Sequence, residues 1–144
     1  MDIEQLSDIQ SEAGVIGTLL YHPDFILHSD YLKPNYFYQV DNGCIYWSIQ
    51  ELSKDGIQTI DAYNISSKLQ SNNAVRRTIE QYNLPNVEKM MEYYKAVARG
   101  TLEEYMMLVD NVVTLSFKRD LVKATNSIQI KCYDRGLDLE QLDN

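Results

Sequence analysis

The chain has 144 residues, 44% of them apolar, and a formal net charge of −8. That is enough apolar material for one sizeable core, while 11 Tyr, three Phe and one Trp exclude a disordered polar tract. The acidic balance argues against general phosphate binding, and no stretch approaches the roughly 18 apolar residues of a membrane span.

The N-terminus, Met1-Asp2-Ile3-Glu4-Gln5, carries neither a basic region nor an apolar signal segment, which points to a cytoplasmic protein. Cys44 and Cys132 are too far apart and too few for a disulfide framework or a zinc pattern, and suit a reducing compartment. Charge is unevenly spread. Asp2, Glu4, Asp8, Glu12, Asp24 and Asp30 precede the first basic residue, Lys33, whereas Lys118, Arg119, Lys123, Lys131 and Arg135 gather near the other end. Solvated helix faces account for most of these charges, and pairing between an acidic and a basic end is the alternative.

In chain order, Ser7-Asp8-Ile9-Gln10 reads as a capping box with Ser7 at the cap, opening a helix to about Tyr21, where Pro23 bars continuation. Asp24 caps a short segment over Phe25-Ile26-Leu27. Asn35-Tyr36-Phe37-Tyr38 reads as a connection anchored by its aromatics. Asp41 and Asn42 are candidate caps for a helix carrying Ile45, Ile49 and Leu52 and stopped at Lys54-Asp55-Gly56. Asp61 caps the next helix, with Ile65 and Leu69 on one face. Residues 74–85 are ambiguous, with one short helix over Val75 to Tyr82 as an option, and Asn86 caps a helix that Gly100 closes.

From Leu102 to Cys132 there is neither Pro nor Gly, so the sequence predicts one helix roughly 45 Å long. It carries two apolar stripes. One runs Leu102, Met106, Val109, Val113, Phe117, Leu121, Ala124, Ile128 and Cys132. The other, Tyr105, Leu108, Val112, Leu115, Arg119 and Val122, alternates three and four residues, the spacing of a helix-pairing seam. Either both stripes pack within the chain, or one faces the globule and the other a second copy. After Asp134-Arg135-Gly136 a further helix begins at Leu137.

No catalytic or cofactor motif accompanies these elements: there is no glycine-rich phosphate loop, no Gly-x-Ser-x-Gly, no Cys-x-x-Cys and no His-Glu-x-x-His. His22 and His28, separated by six positions and a proline, do not share a helix face as a metal pair would. Glu103-Glu104 fits first-turn charge on a helix rather than an acid–base pair. Gly14-Val15-Ile16-Gly17 superficially matches a nucleic-acid clamp loop, but its apolar middle suits close helix packing. Arg76-Arg77 is a small basic spot, best read as solvated charge in an acidic chain. The expectation is therefore a chain with no catalytic residue, metal or cofactor.

Taken together, Glu12-Ala13 to Leu20, His22-Pro23-Asp24, Leu32-Lys33-Pro34-Asn35-Tyr36-Phe37-Tyr38, Ile45-Tyr46, Leu52, Gly56, Ile60-Asp61 and Leu69 form one pattern. It resembles the N-terminal domain of DnaB-type replicative helicases, with Asn42 where that family commonly has His and Val40 where Pro is frequent. The resemblance implies an all-α fold: a small helix bundle over residues 1–100, then over 101–144 a long helix and the truncated start of a second hairpin helix. It also implies a non-catalytic domain that self-associates as a dimer or in a hexameric collar and binds primase or a helicase loader, without strong nucleic-acid binding of its own. Tyr105, Leu108, Val112, Leu115 and Val122 are then the expected pairing seam, with Arg119 meeting a carboxylate across the interface. A stand-alone regulator that captures replication proteins by mimicking the collar is the competing reading. A helix-turn-helix transcription factor would need a basic recognition helix.

Overall fold

A computed structural model describes residues 2–134, with side chains described through residue 131. The described residues hold six α-helices, α1 (Ile9–Tyr21), α2 (Val40–Lys54), α3 (Ala62–Gln70), α4 (Asn73–Tyr82), α5 (Val87–Ala96) and α6 (Leu102–Asp134), and no strand. Short 3-10 turns at Ile3–Leu6, Pro23–His28 and Pro34–Tyr36 link them. The all-α architecture is the expected one.

The central element is α1, buried continuously from Ser11 to Leu19. Its cap is Asp8, one residue later than expected: the Asp8 carboxylate accepts from the Ser11 N–H (3.0 Å) and hydroxyl (2.8 Å). Ser7 instead donates to the Glu4 carbonyl and closes the preceding turn. A helix buried on so much of its circumference needs neighbours at close range, and Gly14 and Gly17 provide it. A Cβ at Gly17 would overlap the Tyr94 carbonyl of α5, and one at Gly14 would lie 2.9 Å from a Leu108 methyl of α6. The glycine pair is thus a packing groove, as its apolar middle suggests. Between them and the next loop, Thr18 donates to the Gly14 carbonyl and accepts from the Arg99 N–H (2.9 Å), pinning the α5–α6 connection.

Helix α2 starts at Val40, so Asp41 and Asn42 lie inside its first turn rather than capping it. It ends as its sequence dictates. Gly56, at φ +76°, donates to the Ser53 carbonyl and Ile57 donates to that of Leu52, the paired bonds of a glycine-terminated helix. Asp61 caps α3 through the Asn64 N–H (2.8 Å), and Ile65 and Leu69 face the core. The ambiguous stretch is a helix, α4, capped by Asn72 and ended by Asn83 in the left-handed region. Asn86 caps α5, which buries Met90, Met91 and Tyr94.

Thr101 caps α6: its hydroxyl accepts from the Glu104 N–H and donates to the Glu104 carboxylate, each at 3.1 Å. Tyr105, Val109 and Val112 are core residues packed with α1 and the Pro23–His28 turn. The Ser29 hydroxyl lies 2.7 Å from the Tyr105 hydroxyl and 3.3 Å from that of Tyr46, tying α6, α2 and this turn together. The expected division at residue 100 therefore crosses a single core, to which the first half of α6 belongs. The expected second hairpin helix from Leu137 lies outside the described residues.

Candidate docking surface

The six residues of the expected pairing seam occupy three kinds of place. Tyr105, Val112 and Arg119 are buried in the chain's own fold. Leu108 is half-buried against Gly14, and Leu115 and Val122 are half-buried. The three-four alternation marks the face of α6 that lies on the globule, because α1 and the turns before α2 supply the apolar surface opposite it. Tyr105, Val112 and Arg119 thus have no free side chain to offer a second copy in this fold.

Arg119 is engaged within its own chain. Its guanidinium donates to the Leu6 carbonyl and the Tyr36 carbonyl, each at 2.7 Å, and lies 5.5 Å from the centre of the Tyr38 ring. It therefore clamps the N-terminal turn and the connection before α2 onto α6. The charge that balances it is Glu12 of α1, almost wholly buried. Glu12 accepts from the Tyr38 N–H (2.6 Å), the Gln39 N–H (3.3 Å) and the Asn42 side-chain amide (3.0 Å). Glu12 thus holds the two residues that lead into α2 and the Asn42 side chain in its first turn, while the Asn42 N–H donates to the helix's own Asp41 (2.9 Å). Asn42 in turn accepts from the Tyr94 hydroxyl at 2.7 Å, extending the network to α5.

Burial pushes the Glu12 carboxyl above its usual range, against the three hydrogen bonds and Arg119. Burial likewise raises the Tyr94 and Tyr105 hydroxyls. Tyr31 is pushed up to about 12, by partial burial and by its 2.8 Å hydrogen bond to Asp110 on α6. The network is a structural brace. Its partners come from α1, α2, α5 and α6, so no local spacing reveals it; the one sequence signal is a lone acid, Glu12, in an apolar helix.

Past Arg119 the helix leaves the globule. From Asp120 to Lys131 every residue except Val122 is exposed. Phe117, Leu121, Ala124 and Ile128 step by four, three and four, and so lie on one side of the helix, about a third of a turn from the buried row. Phe117, Leu121 and Ile128 are 57%, 69% and 61% exposed. This is the distal part of the first sequence stripe, whose proximal members Leu102, Met106 and Val113 pack against the core. Its base is tied to the globule, since the Phe117 ring meets the Tyr36 ring edge-on at 5.7 Å. Scattered exposed apolar residues are ordinary, but here four share one side of a projecting helix.

The remaining candidates are structural. His22 stacks on Phe25 at 4.7 Å, and no cluster of His, Cys, Asp and Glu able to hold a metal ion occurs among the described residues. Cys44 is half-buried and its thiol is pushed up by burial and by Asp41. No described helix is long and apolar enough to cross a membrane.

Among known protein families, residues 4–111 match the model of the DnaB-like helicase N terminal domain. The match spans the globule and the base of α6 and stops before the projecting seam. No curated protein and no solved structure matches the chain.

Proposed function

Because the chain belongs to the DnaB-like helicase N-terminal domain family, we propose that it is a collar and docking module of a replicative DNA helicase, working in the cytoplasm. It associates with copies of itself along the outer half of α6 and presents its acidic globule to primase or to a helicase loader. The matched region is the N-terminal domain, not the ATPase, and the chain contains no phosphate loop. Its work in DNA replication is positioning.

The observation that carries this reading is the exposed seam of Phe117, Leu121, Ala124 and Ile128 on a helix that has left its own core. A helix with that spacing covers its apolar side by pairing with another helix. Leu115 and Val122 lie about 140° around the helix from this seam, on the other border of the buried row, and so belong with the residues that seat α6. Tyr105, Leu108, Val112 and Arg119 act indirectly, by fixing the base from which the seam projects. The net charge of −8 favours partners with basic surfaces and disfavours direct DNA binding.

Light scattering of the wild type and of a Leu121→Asp, Ile128→Asp variant tests the pairing. The wild type is expected to exceed monomer mass at tens of micromolar, and the variant to be monomeric with an unchanged helical signal. Equal masses for the two proteins sink the proposal. Titration with purified primase and with purified loader, at low and moderate salt, tests the docking role; retention of neither removes that part of it.

A further inference from the structure

Helix α4 is attached to the molecule differently from every other helix. None of its ten residues is buried; Val75, Thr78 and Ile79 are half-buried and the rest are exposed. Its hydrogen bonds close on themselves. Val75 N–H donates to Asn72, Arg76 to the Asn73 side chain, Thr78 to the Ala74 carbonyl, and Leu84 N–H to the Ile79 carbonyl, all within residues 72–84. No salt bridge among the described residues ties it down.

Two apolar side chains four apart do the holding. Ile79 roofs a cavity of about 210 Å³ whose walls include Ile45, Leu69, Leu84 and Met90. Val75 shares a shallow groove with Cys44 and Trp47 of α2. Both joints suit detachment of the whole helix: Asn72 caps it from within, and Asn83, at φ 50°, ends it without help from outside. A helix that satisfies its own ends loses little but its two apolar contacts when it lifts.

We propose that α4 is a strap that releases and reseats as one unit over the groove of Ile45, Leu69 and Met90, while the other helices stay folded. Release uncovers an apolar floor between α2, α3 and α5 and widens access to the half-buried Cys44.

Hydrogen exchange of the full chain, combined with alkylation of Cys44 in a Cys132→Ser background, tests this. The amides of residues 73–82 are expected to exchange about 100-fold or more faster than those at the centre of α1. Cys44 sits on α2, so its alkylation separates undocking from fraying of α4 alone. Ile79→Asp is expected to speed that alkylation about tenfold, with α1 protection unchanged. Equal protection in α4 and α1, or an alkylation rate indifferent to Ile79→Asp, overturns the proposal. Should Ile79→Asp unfold the chain, Ile79→Ala replaces it, and loss of α1 protection in that milder variant also overturns it.

Discussion

From Leu102 to Arg119 the last helix lays Tyr105, Val109, Val112, Ser116 and Arg119 against the rest of the molecule. From Asp120 to Lys131 the same helix continues with apolar residues at the same intervals, and only Val122 is even half-covered. The two halves do not differ in backbone or in period. They differ in what lies opposite: α1, the Pro23–His28 turn and the Pro34–Tyr36 turn for the first, and no other described element for the second. Periodicity decides which residues share a face; the neighbouring elements decide which face is buried.

The sharpest way to probe that contrast is to truncate one large side chain in each half. Tyr105→Ala removes a fully buried ring that lies 5.8 Å from the Phe25 ring and 2.7 Å, at its hydroxyl, from Ser29. It should cost about 3–5 kcal/mol in urea unfolding. Leu121→Ala, in the outer half, should stay within about 0.5 kcal/mol when measured on dilute monomer. A comparable loss from both would mean that the outer half packs on its own chain.

At the border between the halves, Arg119→Met leaves the Leu6 and Tyr36 carbonyls unpaired and Glu12 without its cation. A loss of about 1–3 kcal/mol is expected. Spin labels at Glu51 and Lys131 should show a broadened distance distribution as the outer half loses its fixed exit from the globule. An unchanged distribution would show that apolar packing alone sets the helix direction.

A smaller effect separates two carboxylates on the α1 side of the contact. Partial burial raises Asp8, but hydrogen bonds from Ser11 and Asn111 outweigh it and hold the group below its ordinary 3.8. Its contribution is therefore present above that value and lost as pH falls through the folded pKa. Glu12 runs the other way. Burial holds it above its ordinary 4.5, so its contribution is complete below that value and lost as pH rises through the folded pKa. Asp8→Ala should cost about 1 kcal/mol at neutral pH, with the deficit shrinking on acidification. Glu12→Gln should remove a stability loss that the wild type shows as pH rises. Urea midpoints from pH 3 to 7 check both signs.

The readable parts of the fold were those whose cause is local. Gly56 stops α2 through bonds to Ser53 and Leu52, and Asp61 caps α3 through Asn64. Both are settled within five residues. The cap of α1 shifted from Ser7 to Asp8 because either side chain offers an acceptor at that position, and the Glu4 carbonyl takes the Ser7 hydroxyl. Asn42 read as a cap and is instead a bridge between Glu12 and Tyr94, since its partners lie thirty and fifty-two residues away. For the candidate surface, sequence named both stripes of α6; the globule buries Tyr105, Val112 and Arg119 of one and leaves Phe117, Leu121 and Ile128 of the other exposed. Arg119 held the clue. A cation in an otherwise apolar row must find acceptors, and two carbonyls of its own chain were as able to serve as a partner's carboxylate.

The single unbroken helix also sets a mechanical scale. With 33 residues and neither Pro nor Gly between Leu102 and Asp134, α6 has no built-in point of flexure. The stretch beyond Arg119 extends about 22 Å. It acts as a lever whose fulcrum is the Arg119 clamp, so a tilt of about 10° at the globule moves the far end by roughly 4 Å, close to the rise of two to three helical residues. Whatever grips the globule can thus be felt, amplified, at the tip.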